Sequence, residues 1–220
     1  MNLTLPKPVL YGFIFTAVVY LISLSFIDYP LNTSLKPIPI LILIIGVIRS
    51  DLVTWAKMSL VGALGFSMLG DMILTMPFIT FFLQAGIGCF FVTHIFYSFL
   101  MLRQFQFSKT FLIYYFLVLF LAIIMTVYLV PYLGHFLIPV LAYLGILLLM
   151  VFSAFQVKDY RLMMSFGALN FIVSDFILAF NLFADQQSDM RIIIMLTYYL
   201  AQFLLINGLC GLYKRHHSNE

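Results

Sequence analysis

Gly70-Asp71-Met72-Ile73-Leu74 and Ser174-Asp175-Phe176-Ile177-Leu178 each set one carboxylate, in the same small frame, inside a long apolar stretch. A charged side chain near the centre of a bilayer costs at least about 2.5–3.5 kcal/mol on insertion scales, so acids that persist there mark a site of use. The surrounding composition makes hydrocarbon the relevant solvent. Of the 220 residues, 64% are hydrophobic and 9% are charged, and the mean hydropathy is +1.13. No soluble globular domain has that balance. The chain reads as an integral membrane protein, with residues 1–220 as one domain, because apolar segments consume nearly all of it.

Breaks at Pro, Gly and charged residues separate eight apolar stretches: 9–27, 37–48, 52–76, 79–102, 110–130, 135–157, 162–183 and 192–213. Backbone facing hydrocarbon must satisfy its own hydrogen bonds, and these segments are too long and too uniformly apolar for barrel strands. The expected fold is an all-α bundle of eight transmembrane helices. The first stretch lacks a strongly basic start and an Ala-x-Ala cleavage pattern, so it reads as a retained span. Lys7, Arg49, Lys57, Arg103, Lys109, Lys158, Arg161, Lys214 and Arg215 fall on one side of this arrangement, and Lys36 and Arg191 on the other. The positive-inside rule then places both termini in the cytoplasm and both aspartates in the far half of the membrane. A bacterial inner membrane suits this pattern; an endoplasmic-reticulum membrane satisfies the same composition. The net charge of +3 is spread over short loops and the C-terminus, which leaves no nucleic-acid-binding patch. Cys89 and Cys210 lie in apolar segments, as small buried side chains rather than a disulfide framework.

Four predicted helices separate the two aspartate frames, which gives them a common direction and depth, as a parallel 4+4 internal duplication would. Lys36-Pro37-Ile38-Pro39-Ile40 and Leu137-Ile138-Pro139-Val140-Leu141 each open the helix before an aspartate helix. Independent recruitment of two acids is the alternative. Several polar residues share the aspartates' depth and need partners. Ser67, one turn before Asp71, is placed to bond its carboxylate or its own backbone. Asn170, Ser174 and Asn181 widen the polar sector of the Asp175 helix, as a water-containing cavity or interhelical bonding would require. Tyr198 and Gln202, at i and i+4, present a phenol and an amide on one face. Lys36 is placed to meet a lipid phosphate or an aspartate, or to snorkel at the interface. His94 and Tyr97 read as structural or supporting groups, with His94 too near the cytoplasmic half to touch the aspartates. Zinc catalysis usually recruits three protein ligands, often several histidines, and His94 is the single histidine well inside a span. No metal and no cofactor are assigned.

Phe66-Ser67-Met68-Leu69-Gly70-Asp71 and Phe171-Ile172-Val173-Ser174-Asp175 resemble the paired signatures of the YhhN-like family of membrane lysoplasmalogenases. The likeness continues in order through Lys36-Pro37, the series Gly86, Phe90, His94 and Tyr97, then Pro139-Val140-Leu141-Ala142-Tyr143 and Thr197-Tyr198-Tyr199-Leu200-Ala201-Gln202. The resemblance implies hydrolysis of the vinyl ether bond of a lysophospholipid substrate drawn from membrane lipid, releasing a fatty aldehyde and a glycerophospho-alcohol. Asp71 and Asp175 would be catalytic, and Lys36, Ser67, Asn170, Ser174, Tyr198 and Gln202 would bind substrate or water. Two carboxyl groups in a low-dielectric site tend to share one proton. One can then donate while the other supports an oxocarbenium-like transition state, as in glycoside hydrolysis. A small proton- or cation-coupled transporter using the same aspartates is the reading from another functional class.

Overall fold

Helices joined by short turns account for nearly all of the computed structural model, which describes residues 3–76, 80–185 and 189–214. In chain order they are α1 (Lys7–Ser23), the short α2 (Leu31–Leu35), α3 (Ile38–Arg49), α4 (Thr54–Leu74), α5 (Thr80–Leu102), α6 (Lys109–Leu133), α7 (Leu137–Phe155), α8 (Arg161–Ala179) and α9 (Arg191–Leu212). A 3-10 turn, Gly134–Phe136, joins α6 to α7, and α8 runs on through a single π turn, Phe180–Ala184. Among the described residues there is no strand, only two isolated bridges, Leu52 with Lys214 and Phe105 with Val157. The all-α class is as expected.

Six stretches are long and apolar enough to cross a membrane: Leu31–Arg49, Thr54–Leu74, Thr80–Leu102, Lys109–Phe155, Arg161–Ala184 and Arg191–Leu212. That is the character of a multi-pass membrane protein. It differs from the eight expected spans in two places. α1 has 17 residues, about 25 Å of helix, and ends at Ser23 rather than at 27. Lys109–Phe155 is a single apolar stretch of 47 residues, yet it doubles back. Gly134 takes φ 49°, the left-handed region open to glycine. The amide of Gln106 donates to the Gln156 carbonyl (2.6 Å) and that of Ser108 to the Gln156 side chain (2.7 Å), so the start of α6 meets the end of α7. The sequence also hides α2, because Pro37 and Pro39 look like a helix start; both fall where α2 passes into the first turn of α3, and a first turn tolerates a missing N–H. The expected start at Ile79, and the base Arg215, lie outside the described residues.

The two ends of the bundle differ chemically. The amide of Val53 donates to the Tyr213 carbonyl (3.1 Å), the Tyr213 hydroxyl to the Leu100 carbonyl (2.6 Å), and the amide of Lys158 to the Gln104 carbonyl (2.9 Å). Lys57, Arg103, Lys109, Lys158, Arg161 and Lys214 therefore gather at one basic end, where the Arg103 guanidinium stacks over Trp55 at 4.8 Å. At the far end Arg191 reaches Asp28 (3.1 Å) and Asp189 (2.9 Å). Hydrogen bonds from the Arg191 side chain, and then from its backbone, hold the Asp189 carboxyl below the ordinary carboxylate range.

Each half packs in the same order: α1 on α3, α3 on α4 and α4 along α5, then α6 on α7, α7 on α8 and α8 along α9. The spacing that carries Asp71 onto Asp175 also carries Gly70 onto Ser174, Thr93 onto Thr197 and His94 onto Tyr198. The α4–α5 and α8–α9 seams depend on small residues, which let helix backbones approach where lipid supplies no hydrophobic drive. A Cβ on Gly70 would stand 2.9 Å from the Phe90 ring, and one on Gly167 would stand 2.9 Å from Leu205 Cγ and 3.1 Å from Leu204 Cβ. Gly167→Ala is expected to lower stability by about 1–3 kcal/mol through overpacking. Gly65→Ala, where a Cβ meets nothing within 4 Å, is expected to be neutral or to stabilise by up to about 1 kcal/mol. Denaturant unfolding in mixed micelles measures both, and equal effects would count against the close-packed seam.

Candidate active site

Asp71 sits near the end of α4 with its side chain 4% exposed, and Lys36, entering from the start of α3, places Nζ 3.0 Å from its Oδ1. The Lys36 carbonyl is held in turn by the Tyr199 hydroxyl at 2.7 Å. Beside this ion pair lies a closed polar cluster. Ser67 and Tyr198 share a short hydrogen bond between their hydroxyls. The Gln202 amide donates to Ser67 (2.6 Å) and to Tyr198 (3.2 Å), and its carbonyl accepts from the Tyr97 hydroxyl (2.6 Å). With Ser67 donating to Tyr198, the phenol's own proton is free to face the Asp71 carboxylate, with which Tyr198 interacts. Direct hydrogen-bond geometry leaves Asp71 Oδ2 without a partner.

Asp175 has different company. The Tyr143 hydroxyl, from α7, donates to its Oδ2 at 2.5 Å, and His94 Nε2, from α5, lies 2.9 Å from that hydroxyl and 3.8 Å from the same Oδ2. Tyr143 has one proton and gives it to Asp175, so its oxygen accepts from His94, which must carry its proton on Nε2. The other ring nitrogen, Nδ1, is buried with no hydrogen-bond partner.

The two clusters are neighbours separated by aromatic rings. Phe171 lies 4.6 Å from the His94 ring and 5.6 Å from the Tyr198 ring, and Phe90 packs edge-on against both Phe171 and Tyr198. Each aspartate thus takes one partner from the helix before it, Lys36 or Tyr143, and one from the last helix of the opposite half, Tyr198 or His94. Asp175 alone of the two lines an apolar cavity, whose walls include Phe90, Tyr143, Leu147 and Phe176. Asp71 lies outside that lining, behind Phe90.

Several sequence expectations change. Ser67 bonds Tyr198 and Gln202 rather than the Asp71 carboxylate. Asn170 returns its amide to the Phe166 carbonyl of its own helix (2.8 Å), and Ser174 donates to the Ile194 carbonyl (2.9 Å), tying α8 to α9. Neither joins the site; Ser174 makes the interhelical bond that was one of the two readings of this sector, and the cavity at Asp175 is apolar. Tyr97 belongs to the Asp71 cluster. His94 does reach Asp175. Helical side chains tilt toward their own N-terminus, and α5 begins at the far end while α8 begins at the basic end, so the two side chains lean toward each other. Tyr143 is the site residue that the sequence reading left out; its signal was its place on the helix before Asp175, matching Lys36 before Asp71. Among the described residues no cluster of three or more His, Cys, Asp or Glu could hold a metal ion.

Removing one member of a buried ion pair strands the other, at a cost of about 3–5 kcal/mol, whereas replacing both by apolar groups is often neutral. Asp71→Asn is expected to lower stability by that amount, and Lys36→Met combined with Asp71→Leu to recover most of it. Thermal unfolding in detergent decides; a double variant no more stable than the single one would mean the pair is not what Asp71 contributes.

The model of the YhhN family matches residues 31–209. Neither a curated protein nor a solved structure matches the chain. The matched span contains both aspartates and every side chain that bonds them, it covers well over half of the sequence, and the chain belongs to the YhhN family.

Proposed function

We propose that this protein hydrolyses the vinyl ether bond of lysoplasmalogens, the alkenyl glycerophosphoethanolamines and glycerophosphocholines. Family membership supports the reading, and one observation carries it: a carboxyl group, hydrogen-bonded to a phenol, is presented to an apolar cavity. Vinyl ether hydrolysis asks for an acid and a water. Asp175, protonated on Oδ1, gives its proton to the β carbon of the alkene, and the electron pair of the double bond forms the new C–H bond. The resulting oxocarbenium ion takes up water at the α carbon, and the proton released from that water returns to Asp175. The hemiacetal then collapses to a fatty aldehyde and a glycerophospho-alcohol, so one water is consumed and the acid is regenerated. Tyr143, donating to Oδ2, steadies the carboxylate whenever its proton is on the substrate, and His94 orients Tyr143.

In this reading Asp71 does not work on the bond together with Asp175. It holds Lys36 and Tyr198 in register behind Phe90 and so fixes one wall of the site. The same reading treats α1, α3 to α9 as eight crossings, the basic end as cytoplasmic with both termini there, the halves as a parallel duplication, and a bacterial inner membrane as the location. Asp175→Asn is expected to fold with near-normal stability and to lose about 10²–10⁴-fold in turnover, the usual range for a general acid. Tyr143→Phe should lose less. Aldehyde release from a lysoplasmalogen in detergent, beside its saturated-ether analogue, tests this. No aldehyde from folded wild-type protein, or full turnover in Asp175→Asn, overturns it.

A further inference from the structure

Among the described residues three buried side-chain atoms have no hydrogen-bond partner: Asp71 Oδ2, His94 Nδ1 and Ser98 Oγ. A polar atom orphaned in a native interior needs an explanation, and bound water is a common one. Asp71 has the Tyr198 phenol beside it. The other two atoms share a helix. His94 and Ser98 stand one turn apart on α5 and are 0% and 2% exposed. Residues at i and i+4 lie on one face of a helix with both side chains tilted toward its N-terminus, which carries the Ser98 hydroxyl toward the His94 ring.

Ser98 is out of keeping with the other hydroxyls of the bundle. Thr16, Ser59, Thr93, Thr126, Ser153 and Thr197 each donate to the carbonyl four residues back, at 2.7–3.1 Å. That bond is the ordinary use of a hydroxyl in an apolar helix. Ser67, Ser165 and Ser174 leave it for a partner on another helix. Ser98 takes neither course, so its proton is unspent. His94 offers the counterpart. With its proton on Nε2 and given to Tyr143, the imidazole keeps on Nδ1 a lone pair that only accepts. One face of α5 thus holds an unspent donor and an unspent acceptor that do not bond each other directly, and a water commonly joins two such groups.

We infer that one buried water joins Ser98 Oγ to His94 Nδ1, and that Ser98 is thereby a positioning residue for the acid at Asp175. The water accepts the Ser98 proton and donates one of its own to Nδ1, which gives it two hydrogen bonds, within the usual range for a buried water. A donor at Nδ1 holds the imidazole in its Nε2–H form. Nε2–H then points at the Tyr143 oxygen, and the Tyr143 proton goes to Asp175 Oδ2. With the imidazole proton on Nδ1 instead, Nε2 would accept from Tyr143, and Oδ2 would lose its donor. Ser98 therefore sets, through the water and His94, which way the phenol beside Asp175 points. The bearing on turnover rests on the function proposed above; the bridge rests on the two orphaned atoms.

Magic-angle-spinning NMR of the full chain in phospholipid bilayers, with ring-¹⁵N histidine, tests the bridge without any turnover, because protonated, hydrogen-bonded and bare ring nitrogens resonate apart. His94→Gln marks the His94 signals among the four histidines. In wild type Nδ1 is expected to be unprotonated, hydrogen-bonded and in magnetisation contact with water. Ser98→Ala is expected to leave it bare or partly protonated, and to lower lysoplasmalogen turnover roughly 2–10-fold at unchanged KM, the worth of one hydrogen bond. Ser98→Thr should restore both; Ser98→Cys, a weaker donor of nearly the original size, serves if the threonine variant does not fold. A protonated Nδ1 in wild type, an Nδ1 out of contact with water, or an Nδ1 unchanged in Ser98→Ala overturns the bridge. An altered Nδ1 with full turnover in Ser98→Ala overturns the positioning role. Absence of aldehyde from every vinyl ether would refute the function, and the nitrogen signals would still decide the bridge.

Discussion

A carboxylate surrounded by hydrocarbon must be met by side chains from other helices, and much of this bundle is arranged to meet two of them. For Asp71 the answer is an ammonium group, and supplying it fixes where α3 begins. Lys36 must leave the far end of the bundle and point inward, and the hydroxyl of Tyr199 secures its backbone there. Around that pair, Ser67, Tyr97, Tyr198 and Gln202 use nearly all of their hydrogen-bonding capacity on one another. Such a satisfied network specifies one packing of α4, α5 and α9, because displacing any member leaves a buried polar group unpaired.

Asp175 is met by a phenol and an imidazole instead, and it keeps more of its surface free, 14% of the side chain against 4% for Asp71. Two residues in nearly identical sequence frames thus serve different ends. One is the anchor of a packed polar core. The other borders an apolar cavity with a hydrogen-bonded partner on one oxygen. The rings of Phe90 and Phe171 keep the two regimes apart.

Much of this was legible in the chain. Composition dictated helices, the distribution of lysine and arginine foretold which helix ends gather together, and the aspartate frames marked where buried polar side chains collect. Lys36, Tyr198 and Gln202 could be named because polar groups deep in apolar segments are conspicuous. What escaped notice depended on directions rather than on positions. Depth counted along the axis put His94 out of reach of Asp175, since that count ignores the opposite tilts of side chains on antiparallel helices. Tyr143 was passed over because a tyrosine among 13 carries little information. Asn170 and Ser174 were over-read, because amides and hydroxyls in apolar helices can spend their bonds on nearby carbonyls, as these two do. The reversal at Gly134 was legible, because the expected spans 110–130 and 135–157 part there.

The crossed partnership of the aspartates also bears on assembly. Tyr198 comes to Asp71 from the second half of the chain, and His94 comes to Asp175 from the first. Each acid keeps one partner from its own half, Lys36 or Tyr143, and would lose the other if the halves were parted. Two identical four-helix units placed this way would each lend their last helix to the other, and both acids would have identical helpers. A single polypeptide is free of that equality. One position then holds histidine while its counterpart holds tyrosine, so that two acids in like frames meet unlike helpers.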